Sequence, residues 1–593
     1  MKEEKVKRIE HLMKTGARAK DAIFIILLTA FPFLHISYGL DILDVGYNLL
    51  NFETFPDMNR TWAVSTLLAN ILGHIFTKLP GGGTMLGMNI YCTVLFTAFM
   101  AVFYLLLRRY YQDWIVFAGL FLAEGLCWCP KVILYHYLSY YLFGLGTLLF
   151  LRAMEDSKKW LYVTAGAVLA LNVFVRFPNI VESAMILVLF FYGIHEKKHI
   201  WKEFLCCIAG YVTVLLLGIL LVEICFGRGS FAGMIQSLFG MTKEAPSYTP
   251  KSMVATIFGD YLDYIYFFVP IAALGLIAAI PMILIKKPLA RAITVLLSGM
   301  CFGVLIRMYY KWNVFNFNYV DYRSFFAWST FFLMIAIILG IVGLFRKGYP
   351  IRRKLLGLAV LLLVFITPIG SNNGLYTAFN NLFLVAVYVF GELVYDPKGS
   401  IFEKKKETDI IPLWWGGFAV RCVALMVCAF TMIQGTLFGI VFLFRDESFI
   451  QGDFVTVSDA DVIAGINTGR DKGLAVYGLN EFLKANNLKN KETICFGHIP
   501  GIYYICEEEC VMSHSWADLS SFPVEEFQAD LDRIGENYPV FIGSAEYRKV
   551  YEGEKTSEIK EKERIITAYL QSHDYEVIYE NSDYFVALPA AKD

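Results

Sequence analysis

The chain has 593 residues, of which 57 % are hydrophobic and 18 % charged, with a formal net charge of −1. Soluble domains carry about 25 % charged residues, so a single water-soluble globule and a disordered chain are both excluded, and a polytopic membrane protein is left. The charge is uneven: residues 1–444 hold 38 Lys and Arg against 25 Asp and Glu, residues 445–593 hold 14 against 28, and no basic stripe of the kind that binds nucleic acid sits on a soluble segment.

Apolar runs of about 17–25 residues read as membrane helices. They fall near 22–40, 84–107, 114–129, 131–151, 160–175, 179–194, 203–225, 262–285, 288–306, 324–345, 355–369, 376–394 and 412–443, thirteen in all. Lys and Arg are retained on the cytoplasmic side, so the basic N-terminus, Lys2 to Lys20, starts inside. Arg108–Arg109, Lys158–Lys159, Lys197–Lys198 with Lys202, Lys286–Lys287, Arg346–Lys347 with Arg352–Arg353–Lys354, and Lys404–Lys405–Lys406 then all fall in inside connections. An odd number of crossings places residues 445–593 outside, in a multi-pass plasma-membrane protein. No small-residue cleavage site follows residues 22–40, so they read as a retained first helix and not as a signal peptide.

Two stretches between spans stand apart. Residues 62–79 are amphipathic, with Asn70, His74 and Lys78 recurring on one side, and read as a helix lying in the outer interface; the alternative, a fourteenth span, would invert every later loop and break the basic register. Residues 226–261, with Gly, Pro and several charges, read as a long outer loop. In the tail, TICFG (493–497), PVFIG (539–543), YEVIY (575–579) and YFVAL (584–588) look like strands, and 476–487 and 556–570 look helical, the alternation of a small α/β domain over 445–593. Cys506 and Cys510 are compatible with a disulfide outside the cytoplasm or with two unpaired thiols, and lack the usual spacing of a metal site.

The first outer loop, near 41–61, carries Asp41 and Asp44 just beyond the first span, beside Gly46 and Tyr47. A carboxylate held there can take a proton from a hydroxyl or amine acceptor. Cations are disfavoured on the outer side, yet Arg176, Arg228, Lys243, Lys251, Arg307, Lys311 and Arg323 all map there, among Tyr309, Tyr310, Trp312, Tyr319 and Tyr322. Guanidinium groups bind phosphate in a fork geometry, so the set suggests a site for a lipid phosphate at the membrane surface, or a row of snorkelling helix-end residues. Glu124 and Glu182 lie in or near spans, where an ionisable group is expensive and usually paired or functional, and Arg176 is a candidate partner for Glu182. Gly81–Gly83 lacks the Lys-Ser/Thr of a P-loop; Ser371-Asn372-Asn373-Gly374 reads as a turn; His136, His498 and His514 read as structural or exposed.

A first span, a loop with Asp44-Val45-Gly46-Tyr47, an interfacial helix, about a dozen further spans and an outer α/β tail resemble the GT-C superfamily of polyprenyl-phosphate-sugar-dependent glycosyltransferases, such as the protein O-mannosyltransferases and the lipid A aminoarabinose transferases. The first-loop motif of that family usually reads Asp-Glu followed by Gly or Ala and Tyr. Here Val45 stands at the Glu position, which leaves the acid function on Asp44, with Asp41 nearby, and weakens a paired Asp-Glu metal site; a divalent cation stays open as a cofactor. Arg176-Phe177-Pro178 and Asp321-Tyr322-Arg323 are similar to pieces the family places at outer helix ends, although Ser324 stands where a Tyr is common. The resemblance implies Arg176 and Arg323 on the donor phosphate, helped by Lys311, Arg307, Tyr47 and Tyr322. It implies an inverting transfer of a sugar from a polyprenyl phosphate to a lipid, glycan or protein acceptor at the outer leaflet. The rival reading is a transporter or lipid flippase, which usually shows two related halves; no such internal symmetry is found.

Overall fold

A computed structural model describes the chain except for residues 1–18, 245–248, 285–288, 372, 395–411, 459, 536, 549–556 and 591–593. Most of the basic N-terminus, Lys286–Lys287, Lys404–Lys406 and Asn372 therefore lie outside the described residues.

The protein is a polytopic α-helical membrane protein with a C-terminal mixed β-sheet domain outside the membrane. Among the described residues seven helices are long and apolar enough to cross a membrane: Met85–Leu107, Phe177–Glu196, Trp201–Phe226, Pro250–Pro281, Leu289–Lys311, Arg323–Phe345 and Gly417–Val441. The pair Gly374–Asn381 and Phe383–Val394, bent by 74° at its break, is either an eighth, broken span or a re-entrant loop. This is fewer than the thirteen apolar runs, although each run lies at least partly on helix. Asp113–Gly125, Lys159–Val173 and Ile351–Ile366 have 13, 15 and 16 residues, about 20–24 Å at 1.5 Å per residue, against a hydrocarbon core of about 30 Å. Leu134–Asp156 is long enough but carries four Tyr, with Arg152, Glu155 and Asp156 near its end.

Other boundaries also move. The first segment is helical over 19–30, ends in a 3-10 turn at Phe31–Phe33 and is irregular by residue 40. The amphipathic stretch is two helices, Arg60–Ser65 and Leu67–Thr77, parted at Thr66. The expected loop at 226–261 is largely helical, Ser230–Glu244 followed by the start of Pro250–Leu284.

Packing sorts these helices. Arg323–Phe345 is central, 67 % buried over its apolar window, with Trp328, Phe331 and Phe332 fully buried. Trp201–Phe226 is only 17 % buried and displays Leu216 and Leu217, each 60 % exposed, as a helix facing lipid would. It crosses Lys159–Val173 through Gly166 and Gly210: a Cβ at Gly166 would lie 2.1 Å from the Cys207 carbonyl oxygen, and one at Gly210 would lie 2.0 Å from that of Val163. Without a hydrophobic drive between helices in lipid, such small-residue contacts let backbones approach.

The two ends of the bundle differ. One end gathers ion pairs among the connections, including Lys20–Asp113 at 2.7 Å, Arg108–Asp21 at 2.8 Å, Arg109–Asp156 at 2.5 Å and Arg353–Glu392 at 2.7 Å. The other carries the first loop and the tail. There β1 (Phe454–Val457) and β2 (Ile466–Gly469) form an antiparallel pair. A separate sheet runs in the order β4 (Glu509–Cys510), β3 (Glu492–Phe496), β5 (Val540–Ser544), β7 (Tyr584–Pro589) and β6 (Tyr575–Glu580). Strands β4, β3 and β5 are parallel, and β7 is antiparallel to both β5 and β6. Helices Arg470–Ala485 and Ser557–Ser572 accompany this sheet. All twelve cysteines, Cys506 and Cys510 included, are free thiols.

Candidate functional site

The first loop is fastened to the tail before it presents any chemistry. Tyr38 forms a parallel bridge to Asn467 of β2, the Gly39 N–H donates to the Asn467 carbonyl at 2.9 Å, and the Asn467 N–H donates to the Ser37 carbonyl at 2.8 Å. Asp446, with its side chain 1 % exposed, accepts the Leu40 N–H at 2.8 Å, the Thr468 hydroxyl at 2.6 Å and the Gly469 N–H at 3.0 Å. Lys472 donates to the Leu40 carbonyl at 3.1 Å and to the Arg445 carbonyl at 2.5 Å.

Within that frame the two loop acids do different work. Asp41 is buried; its carboxylate accepts the backbone N–H groups of Leu43 at 3.0 Å and Val45 at 2.8 Å, and its carbonyl accepts the Gly46 N–H at 3.0 Å. These are donors that helix Asp44–Thr54 leaves without intrahelical partners at its start, so Asp41 caps the helix. Asp44, its side chain 31 % exposed, instead meets the Arg445 guanidinium at 2.9 Å. A second arm of Arg445 lies 3.6 Å from Asp41. Burial raises the Asp44 carboxyl above the ordinary carboxylate range; the Arg445 charge draws it back down and the Asp41 charge pushes it up.

Gly46 and Tyr47 face the tail. A Cβ on Gly46 would sit 2.5 Å from the Gly501 Cα, and the Gly501 N–H donates to the Ile42 carbonyl at 2.7 Å, so Gly46 is where two backbones meet. The Tyr47 ring stacks on His514 at 5.7 Å and meets Trp516 edge-on at 5.6 Å. Burial, reinforced by the Lys562 charge, holds His514 down to about 3, so it is a neutral imidazole. Its Nδ1 accepts the Trp516 N–H at 3.0 Å, which leaves the proton on Nε2, 3.4 Å from the Tyr47 hydroxyl. His514 is a buried packing residue, and His498, 53 % exposed, contacts Asp518 at 2.9 Å.

Arg176 lies at the same end. It is half-buried at the start of the 3-10 turn Phe177–Met185 and donates to the Gly370 carbonyl. It does not form an ion pair with Glu182, whose carboxylate takes the Asn172 side chain at 2.6 Å; Asn179 donates to Ser139 at 2.6 Å beside them. Tyr322 stacks on Phe326 at 4.8 Å and meets Trp128 edge-on at 5.5 Å. Cys129, Tyr135 and Tyr322 each lie within electrostatic reach of Asp44, and Tyr135 also within reach of Arg176. The acidic corner and Arg176 thus flank one aromatic patch.

The remaining expected cations are set apart. Arg323 follows Tyr322 directly, on the same end of the bundle as Asp44, but it is exposed, as are Lys311 and Arg307. Among the described contacts none joins these three to Asp44. The partner of Asp44 is Arg445, about 400 positions away at the head of the tail, a distance over which no local sequence pattern links the two. Its signal was its place: a cation directly after the last span, followed by an acid, Asp446.

Among the described residues no group of three or more His, Cys, Asp or Glu is placed to hold a metal ion. The Asp41 oxygens are committed to backbone N–H groups, and the Arg445 guanidinium lies against both carboxylates. The pair therefore does not fit a divalent cation.

These elements define a multi-pass membrane protein whose extramembrane sheet domain closes over an acid–guanidinium corner at one end of the bundle. No protein-family model and no curated protein matches the chain. Among solved structures it is similar to ArnT from Cupriavidus metallidurans bound to undecaprenyl phosphate, with a TM-score of 0.39 and 10 % identity over 97 % of this chain and 98 % of that one. It is similar to the apo state of the same protein with a TM-score of 0.37 and 11 % identity over 97 % and 99 %.

Proposed function

We propose that the chain is a membrane glycosyltransferase that moves a sugar from a polyprenyl-phosphate donor to a lipid, glycan or protein acceptor at the outer leaflet, with residues 1–444 as the GT-C-like catalytic domain and 445–593 as an extracytoplasmic lid. The observation that carries the reading is Asp44: a partly exposed carboxylate of raised pKa, held against Arg445 between an aromatic patch and the tail. Asp41 cannot share the task, since its oxygens cap the helix.

Asp44 removes the proton of the acceptor nucleophile as the new C1–O bond forms. The bond from C1 to the phosphate oxygen breaks, and its electron pair leaves with the polyprenyl phosphate. Attack opposite the leaving group inverts the anomeric carbon. Arg176, which flanks the same aromatic patch as Asp44, neutralises the departing phosphate, and Tyr47 and Tyr322 border the acceptor, while Arg323, Arg307 and Lys311, set apart from Asp44, stay outside this step. Such electrostatic stabilisation of developing charge is usually the largest catalytic contribution. The phosphate is itself the leaving group, so no nucleotide takes part.

One observation favours the rival transporter reading, the 74° break at Leu382, because transporters often bind substrate at interrupted helices. The polar groups at that break are already used. Asn380 accepts the N–H groups of Trp128 at 2.9 Å and Cys129 at 3.3 Å, and Asn381 donates to Thr367 at 2.9 Å. Proteoliposomes supplied with radiolabelled polyprenyl-phosphate sugars and candidate acceptors separate the readings. Label transferred to an acceptor supports the enzyme; label moved across the bilayer still on its lipid supports the transporter.

A further inference from the structure

Next to the acidic corner a cavity of about 190 Å³ lies between the first segment, helix Met85–Leu107, helix Asp113–Gly125 and the end of the last span. Glu124 lines it, 3 % exposed, and neither carboxylate oxygen has a hydrogen-bond partner. His35 lines it from another element, and its buried Nε2 is also without a partner. Lys131 borders the same space and is near enough to feel the Glu124 charge, yet it donates to Tyr137 at 3.2 Å and lies 4.7 Å above the Phe96 ring. Buried polar atoms are almost always paired, so two orphans facing one hollow mark a place for a ligand with polar groups of its own.

The walls narrow the class of ligand. A carboxyl buried without a hydrogen-bond partner is costly to ionise, so Glu124 suits a neutral polar ligand better than a cation. A carboxyl group can donate to one hydroxyl and accept from others, and an ammonium can donate to a ring or hydroxyl oxygen. Trp128, Phe96 and Phe442 supply apolar faces for C–H groups. Cavities of about 150 Å³ hold one six-membered ring, so this one has room for a single ring with its substituents. Asp41 also lines the space, but its carboxylate is already satisfied.

We propose that this cavity binds one neutral polyhydroxylated ring, the sugar of the donor, with Glu124 and Lys131 holding its hydroxyls and His35 a third contact. The identification of that ring as the donor sugar rests on the glycosyltransferase reading, whereas the binding of a sugar ring here does not. The test uses the full-length protein in lipid nanodiscs and equilibrium dialysis with the methyl glycosides of glucose, mannose, galactose and xylose. At least one glycoside binds the wild type, and Glu124→Gln weakens it roughly tenfold, the scale of one hydrogen bond. Lys131→Met, which keeps the aliphatic stem over Phe96, weakens the same glycoside and serves if Glu124→Gln does not fold. Failure of every glycoside to bind, or equal affinity in wild type and variants, overturns the sugar pocket. The same preparations are assayed for turnover of the corresponding polyprenyl-phosphate sugars. Glycoside binding that depends on Glu124 without turnover keeps the pocket and discards the transferase; turnover unaffected by both substitutions keeps the transferase and discards the pocket.

Discussion

Asp41 and Asp44 are three positions apart and chemically identical, and the fold gives them opposite roles by what reaches their oxygens. Asp41 receives two backbone N–H groups and is buried; Asp44 receives one guanidinium and keeps part of its surface. A general base must be ionised to work, so the acid limb of the pH–rate profile lies where Asp44 takes up its proton, above the ordinary carboxylate range. Arg445→Gln removes the charge that lowers that value, so the acid limb moves to higher pH. Asp41→Asn removes the charge that raises it, so the limb moves to lower pH, and the weakened cap costs about 1 kcal/mol of stability. Initial rates measured between pH 4 and 8 for the three proteins check both signs; shifts in the same direction contradict the arrangement. The motif around Asp44 was legible in the sequence, because an acid just beyond an apolar run is a local pattern. Arg445 was not, since nothing in spacing or periodicity links residues so far apart in the chain.

At the scale of elements the decisive contact is the one between helix Asp44–Thr54 and the short helix Ile502–Cys506, which meet at Gly46 and Gly501. A methyl group on either glycine runs into main chain, which cannot rotate away. Gly46→Ala therefore pushes the loop helix off the tail, at a cost of about 1–3 kcal/mol typical of overpacking. Limited proteolysis should then cleave between the last span and β1 at protease levels that leave the wild type intact; unchanged resistance means the two surfaces are not held together there. The four tail strands with strong β-branched or aromatic alternation could be read from sequence alone. Strands β1, β2 and β4 could not, because they have four, four and two residues, β1 and β2 pairing with each other beside one bridge from the first loop and β4 pairing with β3. Fewer helices than apolar runs have the length of a span, because an apolar run does not reveal where its helix ends, and helices of 13–16 residues fall short of the hydrocarbon thickness.

The whole molecule is divided by charge. The connections of Arg108–Arg109 and Arg352–Arg353 gather at one end of the bundle, and the acidic tail caps the other. Helix Met85–Leu107, about 35 Å long, runs from the tail's neighbourhood to Arg108, so the two ends lie on opposite faces of a bilayer. If Lys and Arg mark the cytoplasmic face, alkaline phosphatase fused after residue 593 is active in intact cells and the same enzyme fused at residue 347 is inactive; the reverse result inverts the orientation. The claim on which the functional account depends is that Asp44 takes the acceptor proton. It is tested most directly by a single-turnover measurement of free polyprenyl phosphate released from a labelled donor in the presence of acceptor. Asp44→Asn, with expression and thermal stability unchanged, is expected to slow release by a factor of about 10²–10⁴. Release at the wild-type rate from Asp44→Asn would remove Asp44 from the chemistry and with it the proposed mechanism.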